Sequence, residues 1–421
     1  MHYQLTKLGH IFTALVSMIL ASAHLLQAQR LVVSDPQHQA RLSEVIQIPL
    51  NEVLKHTHNG RHFKAVNAAT HKTLTTQIYA DPNNPSRELL LIAVQLPASG
   101  ELAIDFLPAD DAQTEPPLVF GREAPERKDD FAWENQYVTY RVYGPALQAT
   151  GEITSGIDVW SKRVPNFVID SFYKRDAEGQ RTHNPALSYH KDNGVGLDSY
   201  EVGKSRGCGG TGVLSGGKLW VSKNYTHLKL ISSGPVRFQF ELTYAPWDAN
   251  GVEVTETKRI TLDAGTHLNK IESTFIFAGP AVIDAAAGLA LHAQADFRQL
   301  AHGRILSDWD TPQDPAAGKI ATGIIAAPGQ PATTSQLNDK ALLVLPIPPL
   351  QTAFTTTQNG QALLVFPVKS GHTFTYYAGS GWSKADMPSQ QAWDNYLTQT
   401  LAQLEHPLHI KWEGNAAPLS R

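Results

Sequence analysis

Arg237-Phe238-Gln239-Phe240-Glu241-Leu242-Thr243-Tyr244 alternates without a break. Phe238, Phe240, Leu242 and Tyr244 fall on one side of an extended chain, and Arg237, Gln239 and Glu241 on the other. Successive side chains of a strand point to opposite faces, so this run predicts a β-strand with one face against a core. The pattern recurs. Residues 137–143 place Val138, Tyr140 and Val142 on one face and Thr139 and Arg141 on the other, and residues 271–277 and 372–377 alternate likewise. Asn250-Gly251, Asn359-Gly360 and Gly216-Gly217 punctuate the runs as turns. Many alternating strands with this punctuation predict an all-β sandwich rather than a βαβ fold. One C-terminal helix is expected. Ser389 caps it, Ala392, Trp393, Tyr396, Leu397, Leu401 and Leu404 recur at helical spacing, and Pro407 stops it. Its apolar stripe is expected to pack on the outside of the sandwich.

Working outward, residues 29–115 read as a small N-terminal β unit, closed by a polar, Pro-containing linker over residues 108–117. Residues 116–413 read as the main sandwich and 414–421 as a tail. Residues 1–28 read as an export signal. Lys7 and His10 precede an apolar run over residues 11–21, and Ala21-Ser22-Ala23 or Gln27-Ala28 offers small-residue cleavage points. The run is short for a bilayer span, so no membrane insertion is expected after cleavage, and the expected location is periplasmic or secreted. Cys208 is the single cysteine, which excludes an internal disulfide and fits a periplasm better than a disulfide-rich exterior. The net charge of −4 argues against nucleic acid as a partner.

Candidate site residues crowd between Trp133 and Gly212. The words are Trp133-Glu134-Asn135, Tyr140-Arg141-Val142-Tyr143-Gly144-Pro145, Ser155-Gly156-Ile157-Asp158-Val159-Trp160-Ser161-Lys162, Tyr189-His190-Lys191-Asp192 and Gly203-Lys204-Ser205-Arg206-Gly207-Cys208-Gly209-Gly210. A core would be built from Leu, Ile and Val, whereas aromatic, charged and glycine residues together suit a ligand site. Gly207-Cys208-Gly209-Gly210-Thr211-Gly212 matches G-x-G-x-x-G by letter, but no buried strand precedes it and no helical period follows it, so a glycine-rich loop at the lip of a cleft is expected instead. Cys208 reads as a small buried side chain sooner than as a nucleophile. His190 is the best acid–base candidate, because an imidazole titrates near working pH. No H-E-x-x-H motif exists, and no catalytic metal or other cofactor is expected; a calcium ion on Asp192 or Asp198 is the open alternative. Trp133, Trp160 and Trp382 (in Gly379-Ser380-Gly381-Trp382) offer indole faces for sugar rings or, alternatively, ordinary burial.

Taken together these words resemble the family of exported bacterial proteins called domain of unknown function 4861, which is grouped with galactose-mutarotase-like folds. The resemblance covers residues 32–412 and is densest over 131–247, with one departure: Gln136 follows Trp-Glu-Asn where a charged pair is usual. It implies a β-supersandwich with a concave, carbohydrate-binding face. It also implies a carbon–oxygen lyase activity on uronic-acid-containing oligosaccharides, as a dehydratase or a polysaccharide lyase. Elimination needs a cation for the carboxylate, a base and an acid. Arg206 or Lys204 is expected to supply the cation, His190 the base and Tyr189 the acid, with Trp133 and Trp160 holding the rings. Glu134, Asn135, Arg141, Asp158, Lys162, Asp192 and Trp382 are expected in substrate binding. The alternative is a mutarotase-like or non-catalytic carbohydrate-binding protein, in which His292 and His372 would matter more than His190.

Overall fold

The computed structural model describes residues 30–57, 60–109, 116–292, 294–312, 314–330 and 358–413. The expected export signal, the tail at 414–421 and most of the linker (110–115) lie outside the described residues. Among the described residues the chain is mostly β, in five antiparallel sheets with few helices, and no helix is long and apolar enough to cross a membrane.

The strand Arg237–Thr243 sits second in a nine-stranded sheet. From one edge the order is His227–Ser233, Arg237–Thr243, Glu253–Asp263, Leu268–Phe277, Thr373–Trp382, Ile320–Ala326, Ile305–Asp310 and Asp296–Leu300, with Trp247–Asp248 pairing off this path. Register follows the alternation. Phe240 lies opposite Ile260, Ile260 opposite Ile271, and Ile271 opposite Tyr376, all fully buried. A slip of one residue would turn this row to the other face, so burial fixes the pairing. Each such side chain contributes about 1.5–3 kcal/mol by leaving water.

Two smaller sheets cover the inner face. One has five strands, ordered Gly196–Leu197, Asp158–Lys162, Val138–Val142, Asp130–Asn135 and Val119–Ala124. The other has four, ordered Lys218–Trp220, Cys208–Ser215, Ile283–His292 and Gln358–Val368. A parallel bridge between Ile157 and Gly207 joins them side by side. Phe238, Phe240 and Ile271 of the large sheet meet Trp133, Tyr140 and Val159 of one cover and Ala287, Leu289 and Phe366 of the other in one continuous core.

The bridge corrects the reading of the glycine run. Gly207–Gly212 is no loop at a cleft lip, because Cys208–Ser215 is a strand whose first six residues are buried. Gly207 has φ +56°, and a Cβ there would lie 2.1 Å from the carbonyl oxygen of Ile157. At Gly209, φ is +97° and a Cβ would lie 2.5 Å from that of Ala378. The seam between sheets is too tight for side chains, and only glycine takes this backbone without strain.

Residues 30–108 form the four-stranded sheet His409–Glu413, Arg30–Ser34, Glu101–Pro108, Phe63–Asn67 and the three-stranded sheet Arg41–Pro49, Asn84–Leu96, Thr76–Asp81. Leu31, Ile46, Ile92 and Ile104 fill a separate core between them. The edge strand His409–Glu413 comes from the far end of the chain and pairs with Arg30–Ser34, so the last strand of the expected main domain completes the N-terminal unit.

Helix Gln390–Glu405 starts at Ser389, whose side chain accepts from the Ala392 N–H, as the spacing predicts. Trp393, Leu397 and Leu401 pack it against Ile305, Ala321 and Ile325 on the outer face of the large sheet. A second long helix, Ile169–Thr182, corrects the expectation of one. Its Ile169, Phe172 and Tyr173 cover Ala132 and Trp160 on the outer face of the five-stranded sheet.

Candidate functional site

Under the second helix lies a dense group of charges. Alternation turns Val138, Tyr140 and Val142 into the sandwich and leaves Arg141 on the outer face, directly opposite Asp158 in the next strand. The Arg141 guanidinium lies 2.6 Å from Asp158 Oδ2, 3.0 Å from Asp198 Oδ2 and 3.6 Å from Asp130 Oδ2. It donates to the hydroxyls of Tyr143 and Tyr189 at 3.2 and 3.3 Å, with the Trp160 ring centroid 5.0 Å away. Burial works against its charge, but Tyr143, Asp158 and Asp198 outweigh that and hold its pKa well above the ordinary value. Three carboxylates share this cation and Arg127, whose Nε lies 3.1 Å from Asp130. Burial, with Asp198 close by, accordingly pushes the Asp158 carboxyl up to about 7.

Residues 183–207 run from the helix back to the seam and cover this group, delivering Asp198 to Arg141 and Tyr189 beside Trp160. Beside them a depression of about 500 Å³ opens, lined by Arg127, Gln180, His183, Ser188, Tyr189 and His190 among others. Tyr189 and His190, expected as acid and base, therefore share one wall, with ring centroids 4.6 Å apart; Tyr189 is 4% exposed, and its hydroxyl turns inward to Arg141. The His190 side chain is 59% exposed. Its Nδ1 lies 2.9 Å from the Asp198 carbonyl oxygen, which only accepts, so Nδ1 donates there and the neutral ring's lone pair is on Nε2. Burial raises the pKa of the Tyr189 phenol, against the opposing pull of Arg141 and Arg127, so the hydroxyl keeps its proton at neutral pH.

The other expected site residues do not line this depression. Glu134 and Lys162 form a fully buried pair at 2.7 Å. Glu134 also accepts from the backbone N–H groups of Val168 and Ile169, anchoring the start of the helix, where a carboxylate is favoured. Asn135 donates to the carbonyls of Asp263 and Thr266. Trp133 and Trp160 are 0% exposed, and their indole N–H groups are spent on Asn269 and Asp158, which corrects their expected role as stacking surfaces for a sugar.

Arg206 is 1% exposed and faces neutral oxygens. It donates to Ser155 Oγ at 2.8 Å and to the carbonyls of Thr211 and Lys204 at 3.2 Å each. At that burial it offers no open face to a carboxylate of a ligand, and it pairs with neither Asp192 nor Asp198. Lys204 Nζ is buried without a hydrogen-bond partner, away from Tyr189 and His190. Asp192 pairs with Arg163 and, at 3.4 Å, with Lys384. The Arg163 guanidinium lies 4.4 Å over the ring of Trp382, so the structure brings Asp192 and Trp382 to one spot; Trp382 is itself 2% exposed. Asp192 and Asp198 each pair with cationic side chains. Cys208 is buried against the Gly379 carbonyl, and burial pushes its thiol far up, so it is no thiolate nucleophile. His292 is buried against Asp310, whereas His372 lies exposed beside Ser370, and the two share no partner.

Sequence reasoning missed Arg127 and Asp130, which lie just before the motif-rich words. A groove of about 480 Å³ between the three-stranded sheet and helix Gln390–Glu405 also contains charges, but they answer one another: Arg237 with Asp263, Lys270 with Glu272, His267 with Asp386.

The chain is 28% identical over 386 residues to "Uncharacterized protein P7" of Formosa agariphila, covering 88% of this chain and 90% of that protein. Among solved structures it is similar to a protein of glycosyl hydrolase family 38 from Enterococcus faecalis (10% identity, TM-score 0.44, 97% of this chain and 50% of that one). It is also similar to an alpha-mannosidase from Enterococcus faecalis V583 (9% identity, TM-score 0.44, 97% and 49%). The chain spans about half the length of these two structures, and a likeness at this level carries no argument about activity. The profile described as "Domain of unknown function (DUF4861)" matches residues 33–410, and the chain belongs to that family.

Proposed function

We propose that this protein is an exported enzyme that acts on uronic-acid-containing oligosaccharides by β-elimination, on a sandwich of the β-supersandwich type. The observation that carries the reading is the pairing of Tyr189 and His190 on one wall of a depression that Arg127 also lines. His190 Nε2 removes the proton at C5 of the uronate. The electrons left at C5 delocalise into the carboxylate, and Arg127 faces the charge that develops there. The C4–O bond then breaks, its oxygen takes the Tyr189 hydroxyl proton, and a C4=C5 double bond remains. Arg127 replaces Arg206 and Lys204 as the cation in this scheme, since neither of those lines the depression. If water leaves, the enzyme is a dehydratase and the chain stays whole; if a sugar leaves, it is a polysaccharide-type lyase.

Incubation with pectic, ulvan-type and glucuronan oligosaccharides tests the reading. The new conjugated double bond raises ultraviolet absorbance, and mass spectrometry separates loss of one water from chain cleavage. No absorbance change with any of the three substrates would sink the proposal, and oligosaccharide binding without covalent change would favour a carbohydrate-binding protein.

A further inference from the structure

A second polar cluster lies inside the sandwich. Strand Ile305–Asp310 turns Leu306 into the core, and Asp308 and Asp310 share that face by alternation. Thr322 lies directly across from Asp308 on the neighbouring strand. Opposite them, His292 ends its own strand, with Nδ1 2.5 Å from Asp310 Oδ2 and Nε2 2.9 Å from the Glu201 carbonyl. Tyr200 sets its ring edge-on to His292 at 5.4 Å, and its phenol feels the charge of both Asp308 and Asp310.

All five side chains are at least nine-tenths buried. Yet Asp308 Oδ1 and Oδ2, Asp310 Oδ1, Thr322 Oγ1 and Tyr200 OH have no hydrogen-bond partner. Buried polar atoms are almost always satisfied, so five orphans converging from two strands and one covering segment call for an occupant. Both ring nitrogens of His292 are taken up, by Asp310 and the Glu201 carbonyl, so neither bonds the Asp308 oxygens.

We propose that Asp308, Asp310, Thr322 and Tyr200 form an internal site for a hard, oxygen-liganded cation, Ca²⁺ or Na⁺, that ties the covering segment to the large sheet. Carboxylates and hydroxyls are the oxygen donors such ions take. Among the described residues no group of three or more His, Cys, Asp and Glu is placed to hold a metal, so this site draws on two carboxylates and neutral oxygens. It is separate from the Tyr189–His190 depression and stands whether or not the proposed elimination occurs.

The test is thermal unfolding of the full mature protein after EDTA treatment and dialysis into choline chloride. CaCl₂, NaCl and MgCl₂ are then titrated separately at constant ionic strength. Ca²⁺ or Na⁺ raises Tm by about 3 °C in a saturable way, and whichever does so is the occupant. Mg²⁺, which holds its waters and demands a tighter octahedron, does less. Asp308→Asn abolishes the rise, and Thr322→Val, which loses one neutral ligand, shifts its midpoint to at least about threefold higher cation. The inference is overturned if neither Ca²⁺ nor Na⁺ raises Tm, or if Asp308→Asn responds like the wild type. Should Asp308→Asn not fold, a Thr322→Val midpoint equal to the wild type's overturns it as well.

Discussion

Arg141 and Arg206 are both buried, and their surroundings are opposite. Arg141 lies on the outer face of the five-stranded sheet among Asp130, Asp158 and Asp198, with aromatic rings on its faces. Arg206 lies at the seam between the covering sheets; among the described residues no carboxylate is in hydrogen-bonding reach of it, and its guanidinium meets Ser155 Oγ and two carbonyls. Their ionisation follows: the neighbours of Arg141 hold its pKa well above the ordinary value, whereas burial lowers that of Arg206 to about 10. The difference teaches that a buried cation is defined by what the fold places beside it. Removing one partner of a tightly paired buried charge group is costlier than removing a charge held by neutral oxygens, with Glu256 acting on it only beyond ion-pair distance.

Deleting each cation in turn separates the two surroundings. Arg141→Met leaves three carboxylates in a dry site with only Arg127 to answer them, and it is expected to cost about 3–5 kcal/mol in urea unfolding. Arg206→Met loses hydrogen bonds to neutral oxygens only, and its expected cost is about 1–2 kcal/mol. Equal costs would show that the carboxylates around Arg141 contribute nothing specific.

The proposed catalytic pair gives the next effect. His190→Ala is expected to lower the elimination rate by about 10²–10⁴-fold, and Tyr189→Phe by a similar factor. His190 is exposed, so His190→Ala should leave Tm unchanged. A fall in Tm that matches the fall in rate would assign His190 a structural role.

Acidity distinguishes the two regions as well. The folded pKa of Asp158 is raised to about 7, so the folded state binds more protons than the unfolded state between about pH 4 and 7. That contribution is fully present below pH 4 and is lost as pH rises through 7. Asp158→Asn removes the titrating group, and urea unfolding at pH 5 and pH 8 should then show a smaller decline with pH than the wild type. An unchanged decline would place the proton elsewhere.

The smallest effect concerns the surface clasp of Asp192 with Arg163 and Lys384. These side chains are partly exposed, so Asp192→Asn should cost less than about 1 kcal/mol. A larger loss would mean that this clasp fastens the segment covering Arg141.

Alternation made the large sheet legible in the sequence, because burying one face of a strand leaves a period-two record in the residues themselves. The helix at Gln390–Glu405 was legible for the same kind of reason, through its cap and its apolar spacing. Helix Ile169–Thr182 was not, since Lys174, Arg175, Asp176 and Glu178 surround a short apolar stripe that is completed only by Trp160 and Ala132 of another element. Of the candidate site, only the adjacency of Tyr189 and His190 was legible: they are neighbours in sequence and share a wall in space.

Which charged residues face a ligand and which face one another was decided by tertiary structure alone. Arg141 meets Asp158 through strand register and Asp198 through a long return of the chain, while Arg206 is turned inward by a seam tight enough to demand glycine. The sequence by itself determined that the chain is β-rich and where its rare residues crowd, because periodicity and composition are local. It could not determine their roles. Ion pairs, burial and desolvation are properties of residues far apart in sequence, and only the packing of sheet on sheet and helix on sheet brings those residues together.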